Sequence, residues 1–375
     1  MITIEKVDTR SKKHVRRFID LPVRLYAGDS RWVQPIRKEV AETLRRDRHP
    51  FYEDSEADFF LAVRDGRDVA RVGVLENRPF NQCHGLHDAD FCYFDCENDL
   101  EAVEALFQEV VGWAKSRGLN RVVGPKGFNA LDGYGVLIDG FEHRQLMTMM
   151  SYNYPYYAHL LEQVRFKKVV DFVSCWLERD SFRMPERVTR VAERVRRRKS
   201  VQFETLSSKR EMAGWARRLG EAYNRTFIQN WEFRPLKPAE IDLIVRNVLI
   251  LADPSLIKLL TKQDQVIGFL LGFPDVSAAL QRAKGRLLPW RILDILWEAR
   301  RTEWLVLNGA GILPEYQGAG LNALLYSEIE RTVRGSRFKY AHITQIAETA
   351  VQMRRDLQEL GAHPFKNHRV YGREC

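Results

Sequence analysis

The chain has 375 residues, 45% of them apolar, which is enough to fill two cores rather than one. Its 59 Lys and Arg against 50 Asp and Glu leave a formal charge of +9, a balance that favours anionic partners such as a phosphorylated cosubstrate or an acidic lipid surface. Zinc-finger spacing, an RRM signature and a helix-turn-helix pattern are missing, so no nucleic-acid partner is expected. Five cysteines without CxxC spacing, no signal-like N-terminus and no apolar run near the roughly 18 residues of a spanning helix make the cytoplasm the expected location.

Residues 57–77 read as two strands joined at Asp65-Gly66, where Gly accepts the positive φ of a tight hairpin. The stretch 83–96 gathers Cys83, His84, His87, Cys92 and Cys96, but in no metal-ligand spacing and largely on a strand, so no metal site is expected. It runs into Asp95-Cys96-Glu97-Asn98-Asp99-Leu100-Glu101, a loop with four carboxylates and no glycine. Carboxylates suit the positive end of the next helix dipole, and they would repel a phosphate. That helix carries Val103, Leu106, Phe107, Val110, Val111 and Ala114 at helical spacing and stops near Arg117-Gly118, where Gly can supply a left-handed cap. A strand at 122–124, then a short helix and strand over 159–177, complete a first half spanning 1–180.

A basic segment, 181–204, links it to a second half, 205–375, that repeats the order. Its hairpin is 255–275, with a polar turn at Lys262–Asp264. The segment 284–301 is extra. It is rich in Leu, Ile and Trp with basic residues at both ends, which suits an interfacial helix, an acyl-tunnel wall or a buried helix. A strand from Trp304 then leads to Gln317-Gly318-Ala319-Gly320 and a helix carrying Leu321, Leu324, Leu325, Ile329 and Val333, which stops near Arg334-Gly335. A strand at 340–344 and a helix and strand over 356–371 follow. The first half, with its acidic loop, is not expected to bind a pyrophosphate and is expected to shape an acceptor site or an interface.

A helix N-terminus exposes unpaired N–H groups and positive dipole, and glycines let a phosphate reach the backbone. The residues there resemble the GNAT acyltransferase fingerprint [QR]-x-x-G-x-[GA] after V-x-P: Ile312-Leu313-Pro314, then Gln317, Gly320 and Asn322, the last departing from Gly or Ala. The resemblance assigns acyl-CoA to Ile312, Leu313, Gln317, Gly318, Ala319, Gly320, Leu321 and Asn322. It extends to a bacterial tandem-GNAT family through Asp29-Ser30-Arg31-Trp32-Val33-Gln34-Pro35, Tyr152-Asn153-Tyr154-Pro155-Tyr156-Tyr157, Asn230-Trp231-Glu232-Phe233-Arg234-Pro235 and His368-Arg369-Val370-Tyr371. Bacterial ceramide synthases, which N-acylate a sphingoid base, are similar to this group. The fold implied is α+β, two tandem GNAT-like domains, each a mixed, mostly antiparallel sheet flanked by helices. Ala350 and Leu357 stand where that resemblance would place an Asn and the Tyr that protonates the leaving thiolate.

The implied reaction is N-acylation by acyl-CoA, of a long-chain amine at the inner-membrane surface or of a small soluble amine; a non-catalytic acyl-CoA binder is the other reading. The chemistry needs oxyanion donors, placed at the Ile312–Leu313 backbone, and a base for the amine. His342 is the first candidate base, because its ordinary pKa lies near neutrality. Glu348 and Glu303 follow it.

Overall fold

A computed structural model describes residues 1–375 except 129–131, 147–149, 199, 200, 229, 232, 250 and 251, so Lys199 of the basic segment and Glu232 of the family motif lie outside the described residues. The described residues form two units. The first comprises Met1–Val173, Ser277–Ile292 and Phe365–Cys375, and the second Ser174–Val276 and Leu293–Pro364. In chain order the elements are β1 (Ile2–Lys6), α1 (Lys12–Leu25), α2 (Arg37–Thr43), β2 (Glu56–Arg64), β3 (Arg67–Glu76), α3 (Arg78–His84), β4 (Asp88–Cys96), α4 (Leu100–Lys115), β5 (Arg121–Gly124), β6 (Val136–Asp139), α5 (Tyr156–Gln163) and β7 (Lys167–Glu178). There follow α6 (Glu186–Arg197), β8 (Gln202–Glu204), α7 (Lys209–Phe227), α8 (Pro238–Val248), β9 (Ile257–Lys262), β10 (Gln265–Pro274), α9 (Ser277–Ala283), α10 (Pro289–Arg301), β11 (Trp304–Ile312), α11 (Leu321–Arg334), β12 (Tyr340–Ala347), α12 (Val351–Glu359) and β13 (His363–Glu374).

Strands of the first unit run β1-β2-β3-β4-β5-β13, with β6 also on β13; those of the second run β12-β11-β10-β9-β8. Among the neighbouring strands just named, only β4 with β5 and β11 with β12 are parallel. The expected α+β fold of two like halves is therefore present, with hairpin, third strand, helix and parallel strand in the same order. Both hairpins close on two residues with positive φ, Asp65 and Gly66 in the first, Gln263 and Asp264 in the second. In α4 all six expected core residues are buried, and in α11 Leu321, Leu324, Leu325 and Ile329 are. Each Val, Leu, Ile or Phe among them contributes roughly 1.5–3 kcal/mol when fully buried. The two caps differ: Gly118 is left-handed at φ 71°, whereas Gly335 sits at φ −85°.

A division by chain order into 1–180 and 205–375 does not match these units. The strand β5 leaves an open edge in the first unit, and an unpaired edge exposes backbone donors and acceptors. Tyr371 to Glu374 of β13 pair with Gly124 to Arg121, so the last strand of the chain completes the first unit rather than the second. The segment Ser277–Ile292 also belongs to the first unit: Gln281 Nε2 donates to the carbonyls of Ser30 and Trp32 at 2.7 and 2.9 Å, and the Arg37 N–H to Gly285. Nor is 181–204 a free linker. Helix α6 buries Ala192 and Val195, the latter in one core with Leu321 and Leu324 of α11.

Candidate active site

The second unit holds a gap between two strands. Pairing of β11 with β12 runs from Trp304↔Tyr340 to Leu307↔Ile343 and stops, although the strands continue to Ile312 and Ala347. Opposite β10 an extra β11 residue is inserted between Leu307 and Ala310, and Gly309 adopts φ 108°, a conformation that favours glycine. The bulge turns β11 away from β12 and leaves its later residues with one free edge.

Hydrogen-bond alternation tells which groups face that edge. The Leu313 N–H donates to the Ile267 carbonyl at 2.9 Å, so residues 267 with 313 and 269 with 311 are the bonded pairs. Ala310 and Ile312 therefore turn their N–H and C=O groups towards the gap. Of the two backbone donors expected for an oxyanion, Ile312 is on the open side. Leu313 is not, because its N–H is committed to the ladder and its side chain is fully buried. The Ile312 carbonyl accepts from Gln317 Nε2 at 3.2 Å, which ties the loop to the strand end.

The glycine loop joins this edge to α11. Gly320 is the N-cap residue, left-handed at φ 80°, with no side-chain cap and no acidic residue in the first turn, so the first N–H groups of α11 remain open. Gln317, Gly318, Ala319 and Asn322 are exposed. A Cβ on Gly318 would meet nothing within 4 Å, whereas one on Gly320 would fall 2.5 Å from Val191 Cγ1 of α6. Gly320 is thus required by helix packing and backbone conformation, whatever the loop binds. A small pocket beside the loop is lined by Val195, Arg198, Lys262, Tyr316, Ala319 and Leu321. It brings two cations to the loop. Arg198, just beyond α6, comes from the basic run 194–199, whose clustering already suited a membrane or a CoA phosphate. Lys262, marked by the sequence only as part of a turn, lies at the end of β9 with its ammonium 5.4 Å from the Tyr316 ring centre.

The three candidate bases are not together. His342 lies on β12 opposite Val306, is 8% exposed and packs on the Trp304 ring with centres 4.2 Å apart. It stands at the closed end of the gap, two residues before the strands part. Glu348 follows β12 at the opposite, open end and is half-buried. Glu303 precedes β11, so the strand rise puts it roughly 30 Å from Ile312. Its carboxylate is 2.6 Å from Lys339 Nζ and holds that ammonium up, and this position sets Glu303 apart from the loop. Leu357 is buried on α12, and Ala350 is that helix's N-cap residue without a side-chain bond.

On the face opposite α11, helix α7 covers the free part of β11. A Cβ on Gly311 would fall 2.2 Å from Thr226 Cγ2, and one on Gly309 would approach Tyr223. Small residues on β11 let α7 lie close to the gap.

The corresponding place in the first unit is filled. Pairing of β4 with β5 stops at Asp90↔Val123 while β4 runs on to Cys96. There the Cys96 N–H donates to Tyr157 Oη at 3.0 Å, and Tyr156 Oη donates to the Cys96 carbonyl at 2.8 Å. Tyr26 Oη lies 2.7 Å from Tyr157 Oη, and burial pushes both phenols well up, so they stay neutral. Helix α4 is capped by Asp99, whose carboxylate accepts from the Ala102 N–H and pairs with Arg64. Glu97 in the same loop pairs with Arg24 and Arg67.

No family model matches the chain. Over 97% of its length it is 24% identical to Protein YghO of Escherichia coli (strain K12), of which 94% is covered. It is also 24% identical, over 97% of its length and 96% of the other, to the bacterial ceramide synthase of Caulobacter vibrioides. Among solved structures it superposes over its full length on 98% of a tandem GNAT protein from the clavulanic acid biosynthesis pathway, with a TM-score of 0.55 at 11% identity. A GCN5-related N-acetyltransferase from Sphaerobacter thermophilus gives 0.50 at 14% identity. With its two like units, its glycine loop and its parted strands, the chain has the fold of tandem GNAT proteins, and over 97% of its length it is similar to a bacterial ceramide synthase.

Proposed function

We propose that this protein is a GNAT-type N-acyltransferase that moves a long acyl group from acyl-CoA to the amine of a long-chain base, using the second unit alone. The observation that carries this reading is the free edge of β11 joined through the glycine loop to the uncapped N-terminus of α11. The pyrophosphate would rest on the N–H groups from Gly318 to Asn322, with Arg198 and Lys262 adding charge, and the amide-rich arm along β11. The amine nitrogen attacks the thioester carbon and the carbonyl oxygen gains charge beside the Ile312 N–H. The C–S bond then breaks, and the proton lost by the amine, taken by His342 or Glu348, returns to the thiolate. Glu303 has no part in this scheme.

The lipid acceptor is supported by α10 and by the similarity to a ceramide synthase. Trp290, Leu293 and Trp297, spaced i, i+3, i+7, are 61%, 67% and 53% exposed, while Ile295 on the other side is buried. The Arg301 guanidinium sits 3.9 Å from the Trp297 ring centre, and Lys284, Arg286 and Arg300 are exposed nearby in sequence. Apolar stripe, tryptophans and flanking cations suit a helix lying in the surface of an anionic bilayer. No helix among the described residues is long and apolar enough to cross a membrane.

Thiol release from palmitoyl-CoA and acetyl-CoA, measured with a C18 amino alcohol and with small soluble amines, tests the activity. Palmitoyl transfer to the long-chain base is the expected preference. Faster acetyl transfer to a small amine would replace the lipid reading, and tight acyl-CoA binding without turnover would make the protein a binder. Changing Trp290, Leu293 and Trp297 to Ser should release the folded protein from anionic liposomes with little effect on palmitoyl-CoA affinity.

A further inference from the structure

The face of the gap that α7 covers carries two hydroxyls for which the second unit offers no use of its own. Thr344 is the first β12 residue beyond the last pair, Leu307↔Ile343, so it stands where the strands part. It is 7% exposed, and its Oγ1 has no hydrogen-bond partner among the described residues. Thr226 on α7 is half-buried, its Oγ1 is shielded and without a partner among the described residues, and its methyl lies against Gly311 on the free part of β11. A buried hydroxyl left unpaired is disfavoured, and such groups in a native fold are few. On a strand, side chains alternate, so Thr344 shares its face of β12 with His342, two residues away. Trp304 packs against His342 on that face, and Leu305, Leu307 and Ala341 turn to the other face, in one core with α11. The thioester would reach the gap from the α11 side, where the glycine loop lies, and an acceptor from the α7 side.

We infer that Thr344, with Thr226 further along the same face, forms a subsite that reads hydroxyl groups next to the reacting amine, so that the acceptor is an amino alcohol rather than a simple alkylamine. This rests on the acyl-transfer reading of the same gap. A hydroxyl beside the amine would pair with Thr344 while the nitrogen lies towards His342. An amine lacking that hydroxyl leaves the Thr344 Oγ1 unpaired in the complex as well, and a site built around such a bond discriminates against the deoxy analogue.

The test compares a long-chain 2-amino-1-alcohol with the 2-amine of equal length that lacks the hydroxyl, using palmitoyl-CoA as donor. The wild type should favour the amino alcohol by roughly 10- to 100-fold in kcat/KM, the range set by leaving one buried partner unpaired. Thr344→Val, near-isosteric, should reduce that preference to about twofold or less by removing the partner. Thr344→Ser should keep the preference, and Thr226→Val should reduce it when the substrate carries a second hydroxyl. Palmitoyl-CoA affinity and circular dichroism should be unchanged in each variant. A wild type without preference, or a Thr344→Val protein that retains it, overturns the subsite. If neither amine is acylated, the transfer reading fails instead. Calorimetric binding of the two amines then decides the subsite: a preference abolished by Thr344→Val supports it, and equal or absent binding overturns it.

Discussion

The loops after β4 and after β11 occupy the same place in two like units, yet they end in opposite electrostatic states. At Cys96 the free edge of β4 is satisfied by the hydroxyls of Tyr156 and Tyr157, and the N-terminus of α4 by Asp99. At Ile312 the edge of β11 keeps a backbone donor turned to the gap, and the N-terminus of α11 has only glycine. One half has used its anion-binding geometry to stabilise itself, and the other has left it open. The same fold thus yields a unit whose backbone groups are satisfied or one whose donors stay open, depending on whether polar side chains from the chain itself fill the gap.

The largest effect should come from giving the second loop the charge of the first. Ala319 is exposed and touches no core, so Ala319→Glu adds a carboxylate without repacking. One charge about 5 Å from a phosphate at an effective dielectric near 20 is worth roughly 3 kcal/mol, or about 100-fold weaker palmitoyl-CoA binding by calorimetry. Lys262→Ala should weaken binding less and lower its salt dependence. In the first unit Asp99→Ala should leave binding intact and lower stability by about 1 kcal/mol through loss of the cap. The reverse pattern would end the comparison. Valine at Gly320 is a poorer probe, because the clash with Val191 of α6 would act first.

Catalysis gives the next largest effect. His342→Ala should lower kcat by roughly 100-fold with acyl-CoA affinity nearly unchanged. A pH–rate profile that keeps its acid limb in this variant would transfer the role to Glu348 across the open end of the gap.

On turnover the smallest effect should come from the first unit, which should respond in stability alone. Burial lowers the imidazole of His368 to about 4, with Nε2 2.9 Å from the Ser151 carbonyl. A folded pKa below the ordinary 6.5 means that stability is full above about pH 6.5 and falls as the pH drops towards 4, by roughly 3 kcal/mol in all. His368→Gln should flatten that slope in Tm against pH and leave kcat at pH 7.5 unaltered. A changed kcat would show that the first unit reaches the chemistry.

Local features were legible in the residues alone. Asp65-Gly66 made a hairpin because two positive φ angles fall on residues that accept them, and the apolar spacing of α4 and α11 set their buried faces before any partner was known. The glycines before Leu321 and the carboxylates before Ala102 told the two loops apart, since a helix dipole and its caps act within one turn. Tertiary structure decided everything that depends on a partner far along the chain. Val191 against Gly320, and Arg198 with Lys262 beside Ala319, unite residues that no spacing connects. Leu313 lost its place as a donor because its N–H reached Ile267, and Tyr157 closed a gap 61 residues away at Cys96. Above all, β13 completed the first unit rather than its own half. An open strand edge is satisfied by whichever segment can pair with it, and sequence order does not say which one that will be.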